Sequence, residues 1–349
     1  MNFQKEIEKW YEIHKRDLPW RHTRDAYVIW LSEIILQQTR VEQGLPYFKR
    51  FLEAYPSVKD FAAADEQQVL KLWQGLGYYS RGRNMLFTAR EVEKYHEGCF
   101  PVQYEELIKL KGIGEYTAAA ISSFSSGEAR AVLDGNVFRV LSRYFGIDTP
   151  INSSEGKKEF TALAQELLKG QNAMVYNQAI MEFGALQCKP KSPDCIVCPL
   201  QESCYALRHK RVNDLPVKLK KLVKRNRYFN YFILKQGEKI LVNKRGEGDI
   251  WQHLYDFPLL ETLSEHELFN QDLDQQIRNA YGKDVLIRSL MATKHVLTHQ
   301  IIYVQFFALD NYIINFNSGA DIKWVSRAEL DELPQPKVIA GFINAKLTK

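Results

Sequence analysis

Four of the five cysteines in this 349-residue chain lie within one short segment, and that segment constrains the fold more than any other feature. The segment follows the pattern C-x6-C-x2-C-x5-C, with Cys188, Cys195, Cys198 and Cys204, whereas Cys99 stands alone. An odd number of cysteines argues against a disulfide framework. Four thiolates so close together predict one metal centre, either an iron–sulfur cluster or a zinc ion, and the spacing leaves both open.

The composition bounds the class of protein. The chain has 45% hydrophobic and 26% charged residues, as ordinary globular proteins do, and its length favours two domains. Its longest apolar run, near residues 29–36, is interrupted by Ser32 and Glu33 and is too short to span a membrane. The N-terminal segment lacks the layout of a signal peptide, so we expect a cytoplasmic protein. The net charge of +5 permits a nucleic-acid partner without requiring one.

The sequence up to Cys204 has helical periodicity. Ile7, Trp10, Tyr11 and His14 recur at the spacing of one helix face, and residues 27–38 predict a second, more deeply buried helix. Short turns separate the predicted helices. Residues 1–207 are therefore expected to form an all-helical domain. The turns lie at residues 56–57, 75–77, 112–114 and 134–136.

The character of the sequence changes after this helical part. Residues 208–227 are predicted to be a basic interdomain linker, either merely solvated or in contact with phosphates. From residue 228 onward, β-branched and aromatic stretches predict strands, so residues 228–349 are expected to form a smaller α+β domain. The predicted strands cover residues 228–235, 239–245 and 299–309, and helices are expected near 265–281 and 327–333. The basic residues of the linker are Arg208, Lys210, Arg211, Lys218, Lys220, Lys221, Lys224, Arg225 and Arg227.

A glycine turn precedes an alanine-rich predicted helix in the sequence LKGIGEYTAAA. Backbone amides at a helix N-terminus attract anions such as phosphate. Gly112 and Gly114 have no side chains, so a DNA backbone could approach the turn closely. Many helical hairpins use such a turn for structure alone, so the turn by itself indicates DNA binding only weakly.

Two carboxylates stand out by their surroundings. Glu33 lies in the apolar stretch IWLSEIIL, where a charged group would be costly unless paired. Burial there should raise its pKa and keep it protonated near neutral pH, as a general acid requires. Asp134 precedes an apolar helix and could simply be its N-cap. One protonated and one ionised carboxyl group suit cleavage through an oxocarbenium-like transition state.

Taken together, SEIILQQT around Glu33, GLGYYSR at 75–81, the KGIGEYTAAA hairpin, LDGNVFR around Asp134 and the cysteine spacing resemble a known family. They resemble the helix-hairpin-helix DNA glycosylases related to endonuclease III, and within these the MutY adenine DNA glycosylases. The resemblance implies a mostly α fold: a two-lobed helical domain with a [4Fe-4S] cluster, followed by a C-terminal α+β MutT-like domain. It implies double-stranded DNA containing 8-oxoguanine:adenine mismatches as partner. No sequence feature suggests an oligomer, so we expect a monomer.

The resemblance also implies a role for each site residue. Glu33 would protonate N7 of a flipped adenine and then assist water, while Asp134 would stabilise positive charge on the sugar. Tyr116 and Asn136 would orient these groups. Relatives carry Phe-Ser-His in a loop that reads 8-oxoguanine, and here an aliphatic residue replaces the aromatic. The remaining implied DNA-binding residues are Trp20, Arg21 and Gln178 in the adenine pocket, Gln38, Leu76 and Tyr78 in the duplex, Gly112 and Gly114 at the backbone, and Leu297, Thr298 and His299 in the recognition loop.

Several other functions compete with this interpretation. Relatives that also cut the strand use a lysine where this chain has Tyr116, so a pyrimidine-damage glycosylase/lyase is disfavoured. A non-catalytic iron–sulfur protein that binds mismatches would require a lost carboxylate, yet Glu33 and Asp134 are both present. A nucleotide-pool hydrolase would need a glutamate-rich magnesium site in the C-terminal domain, and that pattern is absent. The sequence therefore favours a monofunctional adenine glycosylase.

Overall fold

The computed structural model describes residues 2–219, 224–263, 271–314 and 321–347. Backbone contacts divide the chain into two units. The first comprises Met1–Ala63 and Asn84–Lys220, and the second comprises Ala64–Arg83 and Lys221–Lys349. The predicted limits at 207 and 228 stay a prediction, and the new feature is that residues 64–83 group with the C-terminal part. Lys220, Lys221 and residues 265–270 of a predicted helix lie outside the described residues.

The chain up to residue 208 is helical, as predicted. A short 3-10 helix (Pro19–Arg21) lies between the first two α-helices. The α-helices are α1 (Phe3–His14), α2 (Ala26–Leu36), α3 (Val41–Ala54), α4 (Val58–Ala62), α5 (Glu66–Trp73), α6 (Ser80–Tyr95), α7 (Tyr104–Leu107), α8 (Glu115–Ser126), α9 (Gly135–Phe145), α10 (Ser154–Leu168), α11 (Ala173–Leu186) and α12 (Tyr205–Arg208).

Two packing arrangements organise the first unit. Helix α1 presents Ile7, Trp10 and Tyr11 to a core that it shares with α9, α10 and α11. Helix α2 packs against α3 and α8, and nearly all of its residues are buried. A helix that is apolar on every side is an interior helix, so any polar side chain on α2 must find its partner inside the protein.

The second unit combines strands and helices, which confirms the predicted α+β class. The central strands of its sheets come from apolar stretches that the sequence predicted to be strands. Its elements beyond residue 224 are β1 (Arg225–Ile233), β2 (Lys235–Gln236), β3 (Lys239–Lys244), β4 (Tyr255–Asp256), β5 (Leu259–Thr262), α13 (Gln271–Tyr281), β6 (Leu286–Val296), β7 (Gln300–Asp310), β8 (Ile322–Val325), α14 (Arg327–Glu332) and α15 (Lys337–Lys346).

The strands form two four-stranded sheets. In one sheet the order is β5-β1-β7-β6, with β1 and β7 parallel and the other neighbours antiparallel. In the other sheet β3 pairs with β2, β4 and β8. Strand β6 escaped prediction because half-exposed and exposed residues alternate along it, as an edge strand allows. The turn between β6 and β7 carries residues 297–299.

The predicted basic linker differs in part from an exposed connector. Leu215 is buried, and the backbone of Val217 accepts a hydrogen bond from Ile151 of the first unit. Arg227 lies in β1, is buried, and pairs with Asp249 and Glu261, so it is not available to phosphates. The expectation of an exposed cation was wrong for Arg227, because a row of basic residues does not show which of them enters a strand.

Among the described residues, no helix is both long enough and apolar enough to cross a membrane. The expectation of a cytoplasmic protein stays a prediction.

Candidate active site

Helix α2 buries a carboxyl group in the interior of the first unit. Glu33 is 8% exposed, and its neighbours along the helix are apolar. The hydroxyl of Tyr116 donates a hydrogen bond to Glu33 Oε2 over 2.7 Å. Burial raises the pKa of Glu33 to about 7, and the hydrogen bond from Tyr116 opposes that rise. At neutral pH this carboxyl group is therefore poised to exchange a proton.

The glycine hairpin brings Tyr116 to this position. Gly112 has φ +80°, a left-handed conformation that favours glycine, and a Cβ there would lie 3.0 Å from the side chain of Asn84. Gly114 is the N-cap of α8, and a Cβ there would meet open space. The helix thus begins at the turn without a side-chain cap on its first amides, and Tyr116 follows within its first turn.

Asp134 occupies the N-cap of α9, and its functional role stays a prediction. Its side chain accepts hydrogen bonds from the backbone amides of Asn136 and Val137, each over 2.8 Å. The Asn136 side chain donates a third, over 2.7 Å. Burial raises the pKa of Asp134, and these three hydrogen bonds oppose the rise. These hydrogen bonds therefore hold the Asp134 carboxylate in place, and their N–H dipoles stabilise its negative charge in a buried position.

A cavity beside Glu33 contains the three residues assigned to the adenine pocket. Trp20, Arg21 and Gln178 all line it. The ring of Trp20 packs edge-on against Phe48, and Gln178 Oε1 accepts a hydrogen bond from the Tyr11 hydroxyl over 2.8 Å. The remaining lining residues are Ile29, Ser32, Phe124 and Met181. Apolar and polar side chains contribute equally to the lining, so the cavity offers aromatic and aliphatic contacts together with fixed hydrogen-bonding groups.

The sequence did not predict Glu182 on α11, whose carboxylate binds Arg21 in the wall of this cavity. Its carboxylate accepts hydrogen bonds from both terminal nitrogens of Arg21, over 3.0 and 2.8 Å, and from the backbone and side chain of Arg16. Burial alone would raise the pKa of Glu182, but these two guanidinium groups lower it to about 2. The signal was available, because Glu182 is an acid in an apolar helix, as Glu33 is.

Arg139 connects the Asp134 region to the cysteine segment. Its guanidinium donates to Asn136 Oδ1 over 2.9 Å, to the carbonyl of Gly184 over 2.7 Å and to that of Cys188 over 2.7 Å. A Cβ at Gly184 would lie 2.7 Å from Asn136 Cβ, so only glycine lets α11 come this close. Arg139 stands in the LDGNVFR motif, but the sequence did not indicate which groups it joins.

The four clustered cysteines surround one cavity. Cys188, Cys195, Cys198 and Cys204 all line it, together with Arg143. Arg143 is buried and donates to the sulfur of Cys188 over 3.4 Å and to the carbonyl of Lys189 over 2.7 Å. Burial raises the pKa of Cys198 to about 12, with further contributions from the other thiols. Four such thiolates would be unfavourable together without a bound cation.

The predicted wedge residues differ in exposure. Gln38 is exposed and Tyr78 is 44% exposed, and both adopt positive φ, which is uncommon for residues other than glycine. Leu76 departs from the expectation, because its side chain is buried inside the second unit and does not reach solvent.

The predicted recognition loop lies in the turn between β6 and β7. Thr298 and His299 are exposed, and Leu297 is half-buried and closes the turn with a backbone hydrogen bond to Gln300. The Thr298 hydroxyl is hydrogen-bonded to the hydroxyl of Tyr78, which belongs to the same unit. The structure therefore brings one wedge residue and one loop residue together, although 219 residues separate them in the sequence.

Comparisons with known proteins identify the family of the chain. Residues 31–169 match the HhH-GPD superfamily of base excision DNA repair proteins, and residues 230–345 match the NUDIX domain. An adenine DNA glycosylase of Buchnera aphidicola subsp. Baizongia pistaciae is 32% identical over 96% of this chain and 94% of its own length. That of Buchnera aphidicola subsp. Schizaphis graminum is 36% identical over 74% and 75%.

Solved structures support the helical fold. A thermostable thymine-DNA glycosylase aligns with a TM-score of 0.55 and 30% identity, covering 59% of this chain and 95% of that one. An endonuclease III–DNA covalent intermediate aligns with a TM-score of 0.52 over 59% and 94%, and at 22% identity it shows the fold alone. The resemblance predicted from the motifs is confirmed: the chain belongs to the adenine DNA glycosylase family of base-excision repair enzymes.

Proposed function

We propose that this enzyme removes adenine paired with 8-oxoguanine in double-stranded DNA, by base flipping followed by acid-catalysed cleavage of the N-glycosidic bond. The observation that carries the proposal is the Glu33–Tyr116 pair beside the cavity lined by Trp20, Arg21 and Gln178. A buried acid with a pKa near 7 can protonate a base at neutral pH. Adenine must first leave the stack, which costs on the order of a few kcal/mol and less at a mismatch.

Each group then has a defined task. The Tyr116 hydroxyl donates a hydrogen bond to Glu33 Oε2, so the acidic proton of Glu33 resides on the other carboxyl oxygen. From that oxygen it is transferred to adenine N7. As the bond to adenine breaks, positive charge develops on the sugar, and the carboxylate of Asp134 stabilises it. Asn136 and the α9 amides keep that carboxylate in place. Glu33, having lost its proton, then assists the attacking water.

We infer a monofunctional enzyme. The phenol of Tyr116 cannot form the imine through which a lysine cleaves the strand. The nearby Lys111 ammonium lies over the ring of Phe87, 4.3 Å from its centroid, in a cation–π contact. Nucleotide hydrolysis by the second unit is disfavoured, since α13 has no glutamate and its Asp274 pairs with Arg278.

We further propose that Cys188, Cys195, Cys198 and Cys204 hold a [4Fe-4S] cluster, which would brace the 188–204 segment. The four cysteines line one cavity, and four Cys thiolates are the ligand set that such a cluster requires. Iron and acid-labile sulfide in equal amounts are expected in purified protein, and stoichiometric zinc without sulfide would overturn the assignment.

Single-turnover cleavage of a duplex with one adenine opposite 8-oxoguanine tests the function, with and without alkali after the reaction. A strand break that requires alkali is the expected result, because base removal alone leaves an abasic site. A break without alkali would indicate a lysine nucleophile instead. No abasic site, from protein with an intact metal centre, would favour the non-catalytic mismatch binder.

The 8-oxoguanine preference needs its own experiment. A double substitution, Thr298→Ala with His299→Ala, should narrow the rate ratio between 8-oxoguanine and guanine as the partner base. The matched control is Lys294→Ala, since Lys294 is exposed on β6 outside the turn and should leave the ratio unchanged. An unchanged ratio in the double variant would remove this loop from recognition of the partner base.

A further inference from the structure

The turn between α5 and α6 holds Tyr78 in an uncommon backbone conformation. Gly75 has φ +103°, Gly77 has φ +75° and Tyr78 has φ +47°. A tyrosine in the left-handed region costs free energy and persists only when its surroundings hold it there. The turn lies within the second unit, together with Arg81 in the first turn of α6.

The side chain of Arg81 contacts the backbone of this turn. One terminal nitrogen of its guanidinium lies 3.3 Å from the carbonyl oxygen of Gly77 and 3.5 Å from that of Leu76. The guanidinium carbon lies 5.1 Å from the ring centroid of Trp73 and 5.7 Å from that of Tyr78, so the cation contacts both rings. It therefore contacts both the backbone of the turn and the exposed side chain that the turn presents.

Two further contacts restrain the same turn. The indole N–H of Trp73 donates to the Gly77 carbonyl over 3.0 Å, so this oxygen is held from two directions. The hydroxyl of Tyr79 donates to the carbonyl of Gln335 over 3.0 Å, and both residues are buried. Every residue in these contacts belongs to the second unit. The turn is thus braced before any DNA is bound.

We propose that Arg81 is a positioning residue for base flipping, which locks the 75–78 turn so that Tyr78 enters the duplex as a rigid wedge. The inference rests on the proposed function, because only an enzyme that unstacks its target base needs a wedge. A wedge ordered in advance does not lose conformational freedom when it binds, so more of the binding energy is left for opening the duplex. Burial lowers the pKa of Arg81 to about 10, so it stays charged at neutral pH.

An arginine is required for this role because its planar guanidinium can contact two rings while donating to carbonyl groups. A lysine ammonium has the same charge but neither the plane nor the fork of donors. Arg81→Lys therefore separates the two ways in which this residue could act. It removes the brace, whereas it would largely preserve a contact with a DNA phosphate.

The test compares two substrates under single-turnover conditions. In one, adenine is paired opposite 8-oxoguanine; in the other, adenine forms a single-nucleotide bulge with no partner, which needs less unstacking. We expect Arg81→Lys to slow the paired substrate by about 10-fold and the bulged substrate by less than about 2-fold, since the wedge matters only when a pair must be opened. The salt dependence of binding should be unchanged.

Arg83→Lys is the matched control, because Arg83 lies in the same helix but its guanidinium donates to Gln252 and not to the turn. It should leave the ratio of the two rates unaltered. Trp73→Phe keeps a ring under the guanidinium and removes one donor to Gly77, so it should change the ratio in the same direction by a smaller factor. Thermal unfolding of each variant shows that the fold is retained.

Three results would overturn the inference. Equal slowing of both substrates, with a salt slope lowered by about 1, would make Arg81 a phosphate contact. An unchanged ratio in Arg81→Lys would show that the turn needs no brace, and a changed ratio in Arg83→Lys would make the effect a general one of the helix. If wild-type protein cleaves neither substrate, the proposed function itself fails, and that outcome is distinct from all three.

Discussion

Helices α2 and α11 each bury one glutamate in the first unit. The pKa of one carboxyl group is raised and that of the other is lowered. Glu33 is 8% exposed, receives one hydrogen bond from a phenol, and has a pKa raised to about 7 by burial. The side chain of Glu182 is 2% exposed and faces two guanidinium groups, which lower its pKa to about 2 despite burial. Burial alone therefore does not determine the pKa of a carboxyl group.

The difference shows how one apolar scaffold supplies both a reactive and a structural acid. A neutral partner such as Tyr116 orients a carboxyl group without fixing its charge. Two arginines fix the charge, and the carboxylate in turn holds Arg16 and also Arg21, which lines the cavity. Four substitutions would test this contrast.

The largest effect is expected from Glu33→Gln. The amide can still accept the hydrogen bond from Tyr116, but it has no acidic proton to give, so adenine excision should fall by about 10³-fold. Single-turnover cleavage measures the loss, and mismatch binding measured by titration should be retained. Near-normal turnover would mean that Glu33 is not the acid.

Glu182→Gln should act on stability. The substitution leaves two arginines without their counter-charge, which should cost about 2–3 kcal/mol of unfolding free energy, less than a fully buried pair because Arg16 is 30% exposed. Urea unfolding at pH 7 measures this cost. The pKa of Glu182 is lowered, so its contribution is complete above pH 4.5 and is lost as the pH falls toward 2. If the variant is still less stable than the wild type at pH 2, the lost stability comes from side-chain packing and not from the charge of Glu182.

The exposed pair Lys169–Glu166 provides the control for that experiment. Glu166→Gln should change the unfolding free energy by less than about 0.5 kcal/mol, because solvent screens an exposed pair. A similar loss of unfolding free energy in Glu182→Gln and Glu166→Gln would show that burial does not strengthen the ion pair.

Glu33→Gln should also stabilise the fold at alkaline pH. The pKa of Glu33 is raised, so wild-type stability is complete below pH 4.5 and declines until the pH passes about 7. The variant has no such decline and should be more stable by about 2–3 kcal/mol at pH 8, with no such gain below pH 4.5. Urea unfolding across this range checks the sign. A difference independent of pH would exclude a protonated Glu33.

The smallest effect is expected from Tyr116→Phe. The hydrogen bond from Tyr116 lowers the pKa of Glu33, so its removal should raise that pKa further and extend excision to higher pH. The expected shift is below about 1 pH unit, since a single hydrogen bond contributes about 1 kcal/mol. The pH profile of the single-turnover rate measures it, and a shift toward lower pH would contradict the assigned direction.

The sequence predicted whatever depends on local pattern. The cysteine spacing, the glycine hairpin and the apolar surroundings of Glu33 each stand within one stretch of chain, and the helical and strand-rich halves followed from periodicity. Strand β6 and the burial of Leu76 and Arg227 escaped, because exposure at an edge strand or in a turn depends on what packs against it.

Local chemistry thus determined which residues could act: an acid within apolar surroundings, thiols close enough to share a centre, and a tyrosine, which cannot form an imine, at the start of the second hairpin helix. Only the tertiary structure decided their partners. It set Glu182 against two arginines, joined Asn136 to the Cys188 backbone through Arg139, and placed Tyr78 beside Thr298. The reason is physical: an acid's pKa and a side chain's orientation depend on groups within a few ångströms, and residues far apart in sequence supply those groups.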